Sequence, residues 1–216
     1  MKIAIVGLGY VGLPLALQFA RNGVSVLGLD VDPAKVAAIN ASRSYIKHIE
    51  APTIATEVQG GRLEASADFS RVKEVEAVII CVPTPLNKNR EPDVSYVLSS
   101  GRAIAPHLQR ETLVALESST YPGTTDTDLR AVLEEGSGLK AGVDFHLAFS
   151  PEREDPGNPD SKVAKIPKVL GALTPACMEK AKALYGHAIQ TLVPVSSCRA
   201  AEATKLLENI FRSVNI

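Results

Sequence analysis

The run Gly7-Leu8-Gly9-Tyr10-Val11-Gly12 constrains this chain more than any other stretch, because it lies between the apolar residues Ile3 to Val6 and an amphipathic segment. A short apolar run of this kind suits a parallel strand buried on both faces. Each glycine has its own task. Gly7 permits the tight turn, Gly9 lacks the Cβ that would hold the backbone away from a pyrophosphate, and Gly12 lets the following helix pack closely. Tyr10 and Val11 complete the turn, and the helix start offers N–H groups and a positive dipole end to an anion. Val24 to Leu29 reads as a second strand. Asp30 ends it about 20 residues beyond the turn, where an acid accepts hydrogen bonds from an adenosine ribose. Asp32-Pro33 fills the cap and first-turn positions of the next helix, which leaves Asp30 for the ribose. A carboxylate there repels a 2′-phosphate and no arginine follows it, so the pattern predicts NAD rather than NADP.

Beyond Asp30, strands and helices alternate. Pro33 to Ala41 reads as a helix and Ser42 to Glu50 as a polar loop carrying Tyr45, Lys47 and His48. Lys35 is either a cofactor contact at the adenosine end or a solvated surface lysine. A helix over Pro52 to Gly60 and a strand over Arg62 to Ser66 follow. Ala77 to Val82 is a buried strand running into Pro83-Thr84-Pro85. Ser95 to Leu108 has helical apolar spacing. Thr112 to Leu116 is a strand leading into Glu117-Ser118-Ser119-Thr120-Tyr121-Pro122-Gly123-Thr124-Thr125, whose hydroxyls serve either as caps and turn formers or as site groups. A helix over Asp126 to Glu135 and a strand over Phe145 to Phe149 come next, and the strand ends at Ser150-Pro151-Glu152-Arg153-Glu154-Asp155-Pro156-Gly157. Lys168 to Gly171 and Ala188 to Val193 read as strands around a helix from Pro175 to Tyr185. The expected fold is α/β: a Rossmann-like, doubly wound, mainly parallel sheet with helices on both faces. Strand ends in such a sheet face the ligand crevice.

Composition excludes other classes. The 216 residues are 45% hydrophobic and 22% charged with a net charge of -1, and no basic run is interleaved with aromatics. That argues against nucleic acid or a membrane surface as a partner. No apolar run approaches the ~20 residues of a membrane span. Lys2 and the residues after it have the outline of a signal peptide, yet the placed glycines fit a retained strand and helix better. Three cysteines at unrelated spacings make neither a disulfide framework nor a zinc site, so no metal and a cytoplasmic setting are expected.

The last stretch, from about Cys198, is a helix on which Ala203, Leu206, Leu207, Ile210, Phe211 and Val214 share an apolar face. We expect that face to pack on the preceding domain. Lys205 and Asn209 lie on another face with Glu202 and Arg212, which is either a solvated stripe with ion pairs or a site. Neither glycine nor proline closes this helix before Ile216. The chain is therefore expected to be the amino-terminal portion of a longer protein, with residues 1–197 as the cofactor domain and 198–216 as the start of a long central helix.

Together GLGYVG, VPTP at Val82, ESSTYPGTT at Glu117, SPEREDPG at Ser150 and EATKLLEN at Glu202 resemble the UDP-glucose/GDP-mannose dehydrogenase family over essentially the whole chain. SYIKHI at Ser44, SPEREDPGN and IPKVLG at Ile166 are most similar to the UDP-N-acetylglucosamine 6-dehydrogenase branch. The UDP-glucose branch carries a PEFL-type sequence where this chain has Arg153. The resemblance implies a UDP-sugar substrate whose C6 alcohol is oxidised to a carboxylate while two NAD are reduced. It further implies a homodimer or larger assembly in polysaccharide biosynthesis. By the same resemblance Lys205 and Asn209 stabilise the oxyanion at C6, Thr120 positions a water and Glu152 supports that water as a base. Arg153 and Glu154 join Glu152, Lys205 and Asn209 at the substrate. Pro83, Thr84, Ser119 and Thr120 border the cofactor.

The family's covalent nucleophile is a cysteine in a glycine-rich motif, and no such motif occurs here. Cys81 and Cys177 read as inert core thiols. Cys198, at a helix start, is a weak candidate because a helix N-terminus lowers a thiol pKa. A single-step hydroxyacid dehydrogenase and a non-catalytic NAD-binding module remain as alternative functions.

Overall fold

The computed structural model describes residues 1–86, 88, 92–152 and 166–215. The opening residues form strand β1 (Lys2–Val6), and Gly12–Arg21 form helix α1. Strand β2 (Ser25–Leu29), helix α2 (Pro33–Asn40), helix α3 (Ala51–Gln59) and strand β3 (Leu63–Ser66) complete the first half. Asp32 caps α2 as expected, its Oδ1 accepting from the Ala34 N–H at 2.9 Å with Pro33 next in the chain.

Strand β4 (Ala77–Ile80), helix α4 (Ser95–Ile104) and strand β5 (Leu113–Leu116) open the second half. A π-helical turn, Thr124–Leu129, then leads into helix α5 (Arg130–Ser137). Strands β6 (His146–Phe149) and β7 (Lys168–Ala172), helix α6 (Pro175–Tyr185), strand β8 (Leu192–Pro194) and helix α7 (Cys198–Asn215) follow.

The eight strands form one sheet in the order β3-β2-β1-β4-β5-β6-β7-β8. All neighbours run parallel except β6 and β7. Successive residues of a buried strand serve opposite faces: Ile3 and Ile5 pack with α1, α3 and α6, while Ala4 and Val6 pack with α4 and α5. The expected doubly wound fold is therefore present, with a core on each side of the sheet. The chain crosses from one half to the other between β1 and β4, and this reversal opens the crevice.

Two expectations change. The strand over Ala188 to Val193 shrinks to β8, because the N–H groups of Ala188 and Ile189 return to the Tyr185 carbonyl and prolong the end of α6. Pro194 is tolerated in β8 because that strand is a sheet edge. The apolar face of α7 does not pack on the domain. Leu206, Leu207, Ile210, Phe211 and Val214 are all exposed, Leu207 at 68%. Only Cys198, Ala201 and Glu202 of α7 are buried. Gly171 sets this docking: a Cβ there would stand 2.3 Å from the Ser197 carbonyl and 2.8 Å from Ala201 Cβ.

Candidate functional site

Parallel pairing aligns the ends of β1, β4, β5 and β6, so the loops beginning at Gly7, Cys81, Glu117 and Ser150 leave one edge of the sheet. Between the first two of these lies a cleft of about 690 Å³ lined by Gly7, Gly9, Tyr10, Val11, Asp30, Lys35 and Pro83. Seven predicted cofactor residues thus line one cleft, whereas Gly12, Thr84, Ser119 and Thr120 are not in its lining. Phe69, Tyr96 and Ser100 form more of the lining, from elements whose role periodicity does not reveal.

The glycines behave differently from one another. Gly7 has φ +91° and leaves no room for a Cβ, which would lie 2.8 Å from the Cys81 carbonyl. Gly12 is buried against the Gly7 carbonyl, 1.8 Å from where its own Cβ would be. Around Gly9 nothing lies within 4 Å of an added Cβ, so the protein itself does not require glycine there. An approaching pyrophosphate does. The start of α1 has no side-chain cap; the Leu13 N–H donates to the Gly9 carbonyl at 3.1 Å and Pro14 has no N–H, which leaves the Gly12 N–H for an anion.

Asp30 is 5% exposed, lines the cleft and also braces the glycine turn. Its Oδ2 accepts from the Leu8 N–H at 2.8 Å and lies 3.3 Å from Lys35 Nζ, while Oδ1 accepts from the Asp32 N–H at 2.9 Å. A carboxylate has about four acceptor positions, and the protein's own donors take three, which leaves one for a donor from the cleft. Lys35 takes up the ion pair and lines the cleft.

The second half of the site follows β4, β5 and β6. Thr84 is partly buried just past β4 and Ser119 is exposed. The neighbouring Ser118 Oγ donates to the Val82 carbonyl at 2.7 Å, tying the two exits together. Thr120 is 7% exposed and its Oγ1 has no hydrogen-bond partner among the described residues. Such an orphaned hydroxyl is unusual in a folded interior and marks a place where a ligand or water belongs.

Lys205, on α7, donates from Nζ to the Glu152 carbonyl, which brings two predicted residues together at the exit of β6. Burial lowers the Lys205 pKa, against the opposing charge of Glu152. Asn209 lies one turn further along α7 and is exposed. Arg153 and Glu154 lie outside the described residues.

Glu202 corrects the picture of a solvated stripe. It is fully buried, with Oε2 accepting from the Gly123 N–H at 2.7 Å and Oε1 from the Thr125 N–H at 2.9 Å and Thr125 Oγ1 at 2.6 Å. It fastens α7 to the loop that carries Thr120, and Gly123, at φ +107°, supplies the left-handed turn this needs. The π-helical turn after Gly123 is an irregularity frequent at functional sites.

A buried polar cluster was missed by sequence reasoning. Because β7 runs antiparallel to β6, its first residue, Lys168, returns to the crevice edge. Its Nζ lies 2.9 Å from Glu117 Oε2, and Tyr185 Oη donates to Glu117 Oε1 at 2.7 Å. The Lys168 ammonium also stands 5.3 Å from the Tyr185 ring centroid. The available signal was a glutamate directly after an apolar strand, which needs a buried partner.

All three thiols belong to the core. Cys81 follows β4 rather than lying within it, and its residue lines the cleft, yet burial, reinforced by Glu117, pushes its pKa well up. Cys177 Sγ accepts from the Leu147 N–H and Thr174 Oγ1. Cys198 is pushed up to about 12 by burial and by Glu202, the reverse of what helix-start activation requires. Among the described residues no cluster could hold a metal ion, and no helix is long and apolar enough to cross a membrane.

Residues 1–189 match the model of the UDP-glucose/GDP-mannose dehydrogenase family, NAD binding domain. The chain belongs to that family. It is 33% identical over its whole length to UDP-N-acetyl-D-glucosamine 6-dehydrogenase of Pseudomonas aeruginosa, covering 50% of that protein. It is 37% identical over 99% of its length to UDP-N-acetyl-D-mannosamine dehydrogenase of Escherichia coli K12, covering 52%. Among solved structures, UDP-D-ManNAc dehydrogenase of Pyrococcus horikoshii superposes with a TM-score of 0.92 at 34% identity, covering all of this chain and 51% of the other. GDP-mannose dehydrogenase of Pseudomonas aeruginosa gives 0.91 at 28% identity, covering 99% and 50%. The chain thus spans about half the length of the curated relatives it matches. Its family is one of NAD-dependent nucleotide-sugar dehydrogenases, and its cofactor is NAD. The open space at Gly9 and the α1 terminus, which has no side-chain cap, fit that cofactor.

Proposed function

We propose that the complete protein oxidises the C6 alcohol of a UDP-N-acetylhexosamine, UDP-N-acetylglucosamine foremost, to the uronic acid in two hydride transfers through a cysteine thioester. The observation that carries this reading is the meeting of Lys205 with Glu152 at the crevice edge, on a helix that Glu202 fastens to the Thr120 loop. The names of the relatives at 33% and 37% identity support an N-acetylhexosamine over glucose. When bound, NAD supplies the hydride acceptor.

The residues take the following parts. The glycine turn and α1 terminus hold the pyrophosphate, Asp30 and Lys35 face the adenosine ribose, and Pro83, Thr84, Ser119 and Thr120 border the nicotinamide end. Lys205 and Asn209 meet the negative charge that develops at the sugar oxygen, where a preorganised cation in a dry site is worth most. Thr120 holds a water and Glu152 receives its proton. Arg153 and Glu154 reach the sugar nucleotide. The thiol nucleophile comes from outside this chain, since its own three are core groups. Residues 198–216 begin a central helix, and the exposed apolar face of α7 is covered in a homodimer or larger assembly.

The test is to supply the complete gene product with NAD and, separately, UDP-N-acetylglucosamine, UDP-N-acetylmannosamine, UDP-glucose and GDP-mannose. Two NADH per sugar with an N-acetylhexosamine is the expected result. Faster turnover with UDP-glucose or GDP-mannose would overturn the proposed specificity.

A further inference from the structure

Leu8, in the middle of the glycine turn, is gripped by two side chains that the turn itself does not supply. Its N–H donates to Asp30 Oδ2 at 2.8 Å, and its carbonyl accepts from Tyr45 Oη at 2.6 Å. Asp30 stands at the end of β2, whereas Tyr45 comes from the loop after α2. The Leu8 side chain is fully buried against Gly28, where a Cβ would lie 2.8 Å from Leu8 Cδ2. Leu8 is therefore fixed at its side chain and at both of its peptide groups.

The second of those peptide groups matters most. The Leu8 carbonyl and the Gly9 N–H belong to one planar trans peptide, so they point in opposite directions. A hydroxyl on the carbonyl consequently sets the direction of the Gly9 N–H. Without it, Gly9 would allow that plane to turn, because glycine resists neither sign of φ. Gly9 also has open space around it, as a backbone that receives a phosphate requires.

We infer that Tyr45 is a positioning residue for the cofactor, holding the Leu8–Gly9 peptide so that the Gly9 N–H is presented to the pyrophosphate. The inference rests on the NAD assignment. Tyr45 is suited to the part. Its ring packs against the core while its edge lines the cleft. Burial, followed by the charges of Asp30 and Asp32, raises its pKa, so the hydroxyl remains a donor throughout the neutral range. The apparent dissociation constant of a ligand rises in inverse proportion to the fraction of protein already in the competent geometry. Tyr45 acts on that fraction and not on a contact to the ligand.

The experiment compares the wild-type chain with Tyr45→Phe, which keeps the packed ring and removes the hydroxyl. Affinities are measured for NADH, ADP-ribose and adenosine. Loss of one hydrogen bond to a half-buried carbonyl should weaken NADH and ADP-ribose by about 3- to 30-fold and leave adenosine within about twofold. The Gly9 amide resonance of the unliganded variant should shift or broaden. Equal weakening of all three ligands would assign Tyr45 to an adenosine contact or to general slackening of the cleft, and overturn the inference. Unchanged affinity for NADH and ADP-ribose would overturn it too. A wild-type chain that binds no NADH would sink the cofactor assignment itself, which separates the two failures. A thermal melt of the variant confirms folding, and Tyr45→Leu, lacking both ring and hydroxyl, should lose the same pyrophosphate increment if the hydroxyl is the agent.

Discussion

A carboxylate with no exposed surface, such as Glu202, is held between two opposing effects. Three donors favour its charge, and burial opposes it. Burial dominates and raises its pKa above the ordinary 4.5, with the nearby Asp126 adding in the same direction. Arg199, one turn earlier on α7, pairs with Asp126 at 2.8 Å and moderates that charge. Between 4.5 and the raised value the folded chain holds more protons than the unfolded chain, so stability falls as pH rises through that window. Glu202→Gln does not titrate, and its amide nitrogen must face one of the Gly123 or Thr125 N–H groups. We expect it to be less stable than wild type by about 1–3 kcal/mol, with the gap widest near pH 4.5 and narrowing toward neutrality. Urea melts across that range test this, and a gap that widens with pH would show that the donors outweigh burial. Residue-level reading of the sequence reaches the type of residue and its spacing but not its partner. Asp30, Thr120 and Lys205 stand out in the sequence as candidates because recognisable motifs surround them. Glu117, Lys168 and Tyr185 do not, since their contact depends on β7 running antiparallel to β6.

At the scale of elements, a strong local pattern located every major helix, and the misreadings arose where tertiary structure decided. The apolar spacing of α7 was correctly read as one face, but spacing does not say what the face meets. Its docking is confined to the opening residues, where Gly171 lets the backbone at Ser197 and the Ala201 methyl lie against β7. Gly171→Ala should therefore cost about 1–3 kcal/mol through overpacking. Leu207→Ala, at a side chain 68% exposed, should change the stability of this chain by no more than about 0.5 kcal/mol. Denaturant midpoints of the two variants distinguish the cases. A loss of several kcal/mol from Leu207→Ala would mean that the distal helix packs on the domain after all.

At the scale of the whole molecule, cofactor binding and the second oxidation step have different requirements, and we expect this chain to meet only the first. The cleft is built from the glycine turn, Asp30 and Lys35 with Tyr45, Phe69, the β4 exit and α4, around the crevice of one sheet. We therefore expect the chain to bind NAD, and to prefer it to NADP, because the Asp30 carboxylate repels a 2′-phosphate. Oxidising an aldehyde further by hydride transfer needs an sp³ carbon, hence an adduct with a thiolate within bonding reach. Cys177 is occupied as an acceptor in the core, Cys81 is pushed well up in pKa, and Cys198 is raised to about 12. At neutral pH Cys81 and Cys198 stay thiols and Cys177 Sγ is held in the core, and groups that stabilise charge in an adduct cannot act when the adduct does not form. Incubation of the purified chain with NAD and UDP-N-acetylglucosamine should thus give no sustained NADH and no uronic acid, while NAD binding by calorimetry persists. Turnover abolished by Cys198→Ser but retained in Cys81→Ala and Cys177→Ala would make Cys198 the nucleophile, and would require α7 to shift enough to expose a thiol that is now 1% accessible.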